Sequence, residues 1–316
     1  MLIFATTIDG LQMGLCFAIL ALGVYISYTI LDFPDLSVDG TFPLGGVCCT
    51  ILMLKLGIPA LPATILSFIS GFLVGSVTGL LHVKFKISNL LAGIIVMTAL
   101  LSVTLALTGL LTKNGMTTSI FSYRSEGLKG LFSGKTASLL GKDGRDYMII
   151  VIELIFVVAV KLIIDLFLKT KLGYMLRATG DNEKLVTSLG RDSGNYKILG
   201  LALANGFVAV SGAVYSNLYM QYDNTSGSGK VVLALASVII GTAVFSRIKF
   251  LKDTTAVIFG AVIYSLCLNY LVLVDKNGIY LKLLNAVMFT LILVFNEKAR
   301  SLARKHSKMK GGAAKQ

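Results

Sequence analysis

The sequence has few charged residues and no recognisable catalytic motif. Only 14% of its 316 residues are charged, 55% are hydrophobic, and the mean hydropathy is +0.81. Soluble proteins carry about 25% charged residues, so this balance excludes a soluble enzyme, a disordered chain and a coiled coil. It also excludes a nucleic-acid-binding domain, although the net charge is +13. Neither an H-E-x-x-H nor a G-x-S-x-G pattern occurs, so no catalytic residue is predicted.

The few cysteines do not indicate a metal site either. All four lie in apolar runs, and no two have the Cys-x-x-Cys spacing typical of zinc sites. Neither a bound metal nor a disulfide framework is therefore predicted. The four residues are Cys16, Cys48, Cys49 and Cys267.

Long apolar runs instead predict an all-α integral membrane protein. A helix needs about 20 apolar residues to cross a bilayer. We predict about nine transmembrane helices in a membrane domain at 1–296, followed by a basic tail at 297–316. The nine segments are Leu11–Leu31, Leu36–Leu56, Ala60–Leu81, Asn89–Leu111, Tyr147–Leu168, Ile198–Tyr219, Val231–Phe245, Thr254–Val274 and Ile279–Phe295.

The second segment is irregular. Asp39, Gly40 and Pro43 interrupt it, and the uninterrupted part, Leu44–Leu56, is too short to cross alone. Irregular backbone at membrane depth is tolerated where protein or a water-filled cavity covers it, and broken helices mark transport pathways. We therefore predict a broken second helix beside a translocation pathway. The residues predicted to line it are Asp35, Ser37, Asp39, Thr41 and, from the sixth segment, Asn205.

The third segment carries small residues at intervals of four. Ser67, Gly71, Gly75 and Gly79 lie on one helix face. Small residues at this spacing let the backbone of a neighbouring helix approach closely. The pattern predicts a helix-packing surface rather than a binding site.

Basic residues predict the orientation. Lysines and arginines accumulate in cytoplasmic loops near the ends of spans. They cluster in the tail at 297–316, at Lys84 and Lys86, between 169 and 197, and between 247 and 252. We therefore predict a cytoplasmic C-terminus and, with nine spans, an N-terminus outside. The positive net charge thus follows from membrane topology.

The predicted cytoplasmic loop Thr170–Lys197 contains signals for a short helix. Asp181 or Asn182 can cap its N-terminus, Glu183 suits its first turn, and Gly190 suits the position after its C-terminus.

The apolar face of this short helix comprises Leu185, Val186 and Leu189. Such a face either docks into a groove of a partner protein or lies on the bilayer surface. The sequence leaves both alternatives open.

Several motifs occur in the order found in one known family. Asp35-Leu36-Ser37-Val38 followed by Gly40 is similar to a D-L-S-V-G motif, except that Asp39 is inserted before the glycine. With the motifs of the loop and the third segment, the chain resembles the membrane subunit of an ABC importer, of the group serving branched-chain amino acids and ribose-type sugars. The other matching positions are Gly75, Gly79, Ile87–Thr98, Leu172-Gly173, Arg177-Ala178, Gly180, Asn182-Glu183, Leu189-Gly190, Lys197 and Gly241-Thr242.

Two departures from the family are visible. The extra first span of the ribose-type permeases is missing. The Gly-rich run that follows Gly241-Thr242 in the family is replaced by Ala243–Arg247.

The resemblance implies a transport subunit with no catalysis of its own. It implies a lipid-embedded dimer of permease chains, which we expect to be identical, in a bacterial plasma membrane. Two cytoplasmic ATPases would hold ATP and Mg²⁺, so no cofactor is expected in this chain, and an extracellular binding lipoprotein would deliver the solute. The similar permeases serve aromatic amino acids or similar small solutes.

The resemblance also assigns the loop helix as the coupling helix that contacts the ATPase. The positions expected to carry that contact are Arg177, Asp181, Asn182, Glu183, Leu185, Val186, Leu189 and Gly190.

An ion-coupled secondary carrier is one alternative. It would be expected to contain internal repeats and acidic groups inside its spans. No clear repeat is visible, and only Glu153 and Asp165 are acidic well inside a predicted span. Lys161 could pair with Asp165 four residues later, although extension of these side chains to the membrane surface is the simpler interpretation.

A membrane prenyltransferase that uses Mg²⁺ is the other alternative. Asp32, Asp35 and Asp39 resemble the aspartate run with which such enzymes hold a diphosphate. That family has a second aspartate-rich loop on the same side of the membrane. Here the later pair, Asp143 and Asp146, falls in a predicted outside loop.

Overall fold

The computed structural model describes residues 2–111, 119–121, 141–219, 221–245, 251–274, 283 and 285–294. Four parts of the sequence lie wholly or partly outside these residues: the predicted tail at 297–316, the loop at 246–250, most of the loop at 112–140 and part of the ninth segment. The helices are α1 (Leu2–Val24), α2 (Val38–Leu54), α3 (Ala60–Val83), α4 (Asn89–Gly109), α5 (Gly141–Leu168), α6 (Lys171–Asp181), α7 (Glu183–Ser188), α8 (Ser193–Tyr219), α9 (Lys230–Phe245), α10 (Asp253–Val274) and α11 (Asn285–Val294).

Two short strands and two irregular turns complete the described structure. Strand β1 (Ser119–Phe121) pairs antiparallel with β2 (Gln221–Asp223), with Ile120 opposite Tyr222. A π-helical turn, Tyr25–Ile30, extends α1, and a 3₁₀ turn, Asn224–Gly227, precedes α9. The protein is therefore an all-α membrane protein with a minor strand pair that the sequence does not predict.

Seven described helices are long and apolar enough to cross a membrane, so the count of nine is not confirmed. Helix α2, with 17 residues, and α11 are apolar but shorter. At 1.5 Å per residue α2 spans about 25 Å, less than the ~30 Å hydrocarbon thickness. The seven spans are Thr6–Ile30, Ala60–Val83, Asn89–Gly109, Tyr147–Leu168, Ser193–Tyr219, Asn224–Phe245 and Asp253–Val272.

Helices α1 and α8 form the centre of the bundle. In the most apolar stretch of these spans, 83% and 78% of the residues are buried, whereas the other five spans have 28% to 39% buried. Helix α8 packs chiefly against α3 and α2, while α1 packs against α10 and α8. The less buried helices expose leucine, isoleucine and valine side chains outward, as expected of surfaces that meet lipid.

Helix α2 is continuous from Val38 through Asp39, Gly40 and Pro43, so the predicted interruption within it is not observed. Pro43 lies one turn inside the helix, where its missing N–H removes a single bond, the one to the carbonyl oxygen of Asp39. The irregular backbone precedes the helix instead, between Leu31 and Ser37, and its side chains at Leu31, Phe33, Asp35 and Ser37 are buried.

Small residues of α3 bring its backbone against α8. A Cβ atom added at Gly71 would clash with the carbonyl oxygen of Asn205, and one at Gly75 would clash with that of Leu201. A Cβ at Gly79 would lie 2.8 Å from Cα of Ile198, closer than real Cβ atoms approach. The three positions along α3 therefore need glycine. This contact fixes the height of Asn205 relative to α3.

Candidate functional site

Four of the five residues predicted to line a pathway form one buried hydrogen-bond cluster. The amide of Asn205 donates to the carboxylate of Asp35 over 2.7 Å, and its oxygen accepts from Thr41 at 2.8 Å and Ser37 at 3.2 Å. The second N–H of the amide donates to the carbonyl oxygen of Leu201, four residues earlier in α8. The amide therefore uses all of its hydrogen-bonding capacity.

The loop before α2 is held in the same way. The second carboxylate oxygen of Asp35 accepts the backbone N–H of Ser37 at 2.8 Å, and Thr41 donates to the carbonyl oxygen of Ser37. Asn205 lies at the middle of the 27-residue helix α8, so the irregular backbone reaches about half the depth of the membrane. Asp35, Ser37, Thr41 and Asn205 are all buried, so in this structure the cluster is closed.

The fifth residue, Asp39, faces a different helix. Its carboxylate oxygens accept the backbone N–H groups of Gly229 at 3.0 Å and Val231 at 2.8 Å, at the start of α9. A carboxylate at a helix N-terminus satisfies unpaired N–H groups and interacts favourably with the helix dipole. The first turn of α2 therefore lies between α8 on one side and α9 on the other.

Lys230 is the functional candidate that the sequence does not reveal. Its ammonium nitrogen lies 4.0 Å from the ring centre of Phe17, with the rings of Tyr215 and Phe42 at 5.2 and 5.3 Å. Phe17 is near the middle of the span Thr6–Ile30, so this lysine is also at membrane depth. The sequence pattern puts Lys230 just outside the seventh segment. That segment is short for a full span, and this is the one sequence signal that its helix begins inside the membrane.

Glu153 of α5 is another ionisable residue inside the membrane. Its side chain is buried, and neither carboxylate oxygen has a hydrogen-bond partner among the residues that the structure describes. It lines a small apolar cavity with Cys16 of α1 and Thr64 of α3. An unpaired carboxyl group in such surroundings favours its neutral form.

Asp165 joins the other end of α5 to the start of α10. Its carboxylate lies 3.2 Å from the ammonium of Lys161 and 2.9 Å from that of Lys252, and it accepts a hydrogen bond from Thr254 at 2.7 Å. The pair with Lys161 therefore exists, but the carboxylate also anchors the start of α10.

The predicted loop helix is present as two helices with a sharp junction. Asn182 caps α7, because its side-chain oxygen accepts the N–H of Leu185 at 3.2 Å. Asp181 is the last residue of α6 and does not cap α7. Gly190 follows α7 with a φ of +72°, the left-handed conformation that glycine adopts readily after a helix. We call residues 171–190 the elbow.

The apolar face of α7 differs from the prediction at one residue. Leu185 and Leu189 are 53% and 63% exposed, whereas Val186 is fully buried within the chain. Val186 therefore stabilises the elbow and is not available for docking. A helix of only six residues is too short for the sequence pattern to separate the two faces.

Glu183 bonds two residues of its own chain, and its place in an ATPase contact stays a prediction. Its carboxylate accepts a hydrogen bond from Lys197 at 2.8 Å and from Ser193 at 3.0 Å. The bond from Lys197 is the main reason why the pKa of Glu183 lies below its ordinary value. Arg177 is exposed and lines an open cavity with Tyr25, Asp165 and Asp253.

The aspartates that suggested a prenyltransferase do not form a metal site. Asp35 bonds Asn205, and Asp39 caps α9. Among the described residues, no group of three His, Cys, Asp or Glu side chains could hold a metal ion. The side chains of Asp143 and Asp146 lie outside the described part of the chain.

Comparisons with known proteins give one consistent answer. A family model described as the permease component of a branched-chain amino acid transport system matches residues 6–295. The chain is 39% identical over 302 residues to a protein of Clostridioides difficile named as a tyrosine transport system permease protein, covering 96% of this chain and 95% of that one.

A more distant relative is an uncharacterized protein of Rickettsia prowazekii, 29% identical over 290 residues, covering 90% of this chain and 96% of the relative. No solved structure matches the chain.

Proposed function

This chain belongs to the branched-chain amino acid permease family, and from that premise we propose that it is the membrane subunit of an ATP-driven importer of tyrosine or a similar aromatic amino acid. The observation that carries the proposal is the 39% identity to the tyrosine permease over nearly the whole of both chains. The chain is an amino acid transport permease and not an enzyme, so the prenyltransferase alternative is wrong.

The exposed leucines of the elbow support coupling to a separate ATPase. Leu185 and Leu189 project from a capped helix whose other side is fixed to the protein through Val186. An apolar pair on a rigid support is suited to a groove in a partner. In the proposal, a dimer of ATPases binds ATP and Mg²⁺ and moves the spans through this contact.

The polar cluster supports a pathway that opens between α2 and α8. A bilayer offers no water to buried polar groups, so the cluster stays closed unless another polar partner enters. We propose that movement of the elbow separates the two helices and exposes Asp35, Ser37, Thr41 and Asn205 to the passing solute.

The remaining partners and the orientation complete the proposal. An extracellular binding lipoprotein delivers the amino acid, and a second copy of this chain forms the other half of the pore in a bacterial plasma membrane. The elbow and the loop at Lys84 are cytoplasmic, as basic loops are. Single cysteines introduced by Lys55→Cys and Lys84→Cys should then react from opposite sides with an impermeant thiol reagent. Labelling of both from one side would refute this topology.

Reconstitution tests the function directly. The purified chain, its co-purifying ATPase and the binding lipoprotein are placed in liposomes, and uptake of labelled tyrosine is measured with ATP and with a non-hydrolysable analogue. Uptake that requires hydrolysis is expected. Uptake driven by an ion gradient, without any ATPase, would establish the secondary-carrier alternative instead.

A further inference from the structure

We infer that Lys230 binds the carboxylate of the transported amino acid, within a cavity between α1, α9, α10 and α11. The inference rests on the proposed function, since it names the group that recognises the solute on its way through this chain.

Lys230 is an intramembrane cation without an ion-pair partner. Among the described residues no carboxylate oxygen lies within 4 Å of its ammonium. Asp39 lies beside the backbone of Lys230, but both oxygens of its carboxylate accept backbone N–H groups at the start of α9. In contrast, Lys161 and Lys252 share Asp165. Charged side chains inside a membrane are costly, and those retained usually contact a substrate, an ion or a counter-charge.

The three aromatic rings hold this cation in place without neutralising it. Phe17, Phe42 and Tyr215 place their rings within 5.3 Å of the nitrogen, at distances typical of cation–π contacts. The rings supply part of the stabilisation that water would give, yet they add no negative charge. An anion that reaches the ammonium therefore meets no competing negative charge from the rings.

Lys230 lines a cavity of suitable size and polarity. Its volume is about 210 Å³, several times the ~30 Å³ that a water molecule occupies in the liquid. Lys230, Ser228 and Asn269 contribute polar groups to its lining, and Met13, Leu233 and Leu268 contribute apolar ones. An amino acid with an apolar or aromatic side chain likewise combines charged groups with an apolar body.

Asn269 offers a complementary group in the same cavity. Its amide N–H groups donate to the carbonyl oxygen of Ser265 and the sulfur of Met13. The amide oxygen is then the group left to interact with a solute, and it is an acceptor of the kind that an ammonium requires. Lys230 and Asn269 together match the two charged groups of an amino acid.

The position of Lys230 connects this cavity to the closed cluster. Phe42, beneath the ammonium, follows Thr41 of the cluster, and Asp39 binds the backbone on both sides of Lys230. A solute bound at Lys230 would therefore lie beside the first turn of α2. Any movement of that turn would change both sites together.

Uptake by the reconstituted importer tests the inference. Lys230→Met should lower tyrosine uptake at least tenfold, because the carboxylate loses its counter-charge, while ATP hydrolysis by the assembled complex continues. Lys230→Arg keeps the charge and should retain most of the uptake. Lys161→Met is the matched control, since it removes another intramembrane lysine away from the cavity, and it should change uptake less than twofold.

The outcomes separate the two proposals. A wild-type importer without ATP-dependent tyrosine uptake would refute the proposed function. Wild-type uptake with equal uptake by Lys230→Met would refute the carboxylate site alone, and so would Lys230→Arg failing as badly as Lys230→Met in complexes that hydrolyse ATP normally.

A second measurement decides the question if Lys230→Met does not assemble. The thiol introduced by Ser228→Cys, with Lys230 intact, is treated with a small neutral thiol reagent and its labelling is followed by mass spectrometry. L-tyrosine should slow the labelling, whereas tyramine, which lacks the carboxylate, should not. Equal labelling rates with and without L-tyrosine would overturn the inference.

Discussion

The α2–α8 interface and the elbow both contain side chains that do not match their surroundings. In the interface these side chains are paired with one another, whereas in the elbow they are exposed. In the interface, polar groups are placed at membrane depth, and Asn205 pairs with Asp35, Ser37 and Thr41. In the elbow, which lies outside the spans, Leu185 and Leu189 are apolar and uncovered. The polar groups of the interface are satisfied within the chain, whereas the two leucines of the elbow remain uncovered in it.

The difference predicts how each region responds to substitution. Changes in the interface should destabilise the permease, because no solvent can replace a lost contact. Changes at the exposed leucines should leave the permease stable and affect only what it binds. The predictions that follow are ordered by their expected effect on the stability of the isolated permease.

Replacement of Gly75 should have the largest effect. A Cβ atom there would meet the carbonyl oxygen of Leu201, so even Gly75→Ala must displace α3 from α8. Overpacking of this kind costs about 1–3 kcal/mol, and Gly75→Leu should prevent folding. Both are compared by yield of monodisperse protein and by thermal unfolding in detergent. Val77→Leu, on the exposed face of the same helix, should behave as wild type; a Gly75→Ala protein as stable as Val77→Leu would contradict the contact.

Asn205→Ala should have the next largest effect. It removes the partner of one carboxylate oxygen of Asp35 and of the hydroxyl of Ser37, at about 1–3 kcal/mol for each unsatisfied group. Thr41→Val removes the hydroxyl that bonds Asn205 across the helices and the carbonyl oxygen of Ser37 locally. The lost bond between the helices should cost about 0.6 kcal/mol, the average for such bonds. Because the two side chains are in contact, the variant with both substitutions should lose less stability than the sum of the losses in the two single variants. Strict additivity in thermal unfolding would show that the cluster is not one unit.

Glu183→Gln should have a smaller effect that depends on pH. The bond from Lys197 holds the pKa of Glu183 in the folded protein below its ordinary value of 4.5. The contribution of this pair to the free energy of unfolding is therefore fully present above pH 4.5. It is lost as the pH falls through the lower pKa of the folded state. The pair is partly exposed, which limits it to less than about 1 kcal/mol. The difference in unfolding temperature between wild type and Glu183→Gln should therefore shrink below pH 4.5. A difference that stays constant down to pH 3 would exclude this ion pair.

The sequence predicts the transmembrane character and most spans because apolar runs about 20 residues long are typical of helices that cross a bilayer. It also predicts Asn182 and Gly190 as the ends of α7, because capping is a local property. Asp35, Ser37, Thr41 and Asn205 stand out by their polarity in apolar segments, yet nothing local indicates that they bond one another. That contact depends on how α2 and α8 pack.

The failures have physical causes as well. Gly40 and Pro43 suggest a break in α2, but the helix continues through both residues, and the irregular backbone lies before the helix. Lys230 is not predicted because α9 begins at membrane depth. A helix of 16 residues can begin there only when another element brings the chain into the membrane. Val186 is grouped with Leu185 by the sequence pattern because adjacent positions on so short a helix cannot be assigned to a face without the tertiary structure.

Leu185→Asp gives the sharpest test of the comparison, because its effect on the permease itself should be the smallest. Leu185 is exposed, and surface substitutions usually change stability by less than about 0.5 kcal/mol. Burial of Leu185 and Leu189 in an ATPase groove would contribute on the order of 1.5–3 kcal/mol each, so a carboxylate at this position should greatly reduce recovery of the ATPase and stop ATP-driven uptake. Thr187→Asp introduces the same charge on the opposite side of α7 and should retain both. Pull-down of the ATPase with the three chains measures the difference. A helix that lies on the bilayer surface would instead give equal ATPase recovery with all three, and the elbow would then not be the coupling element.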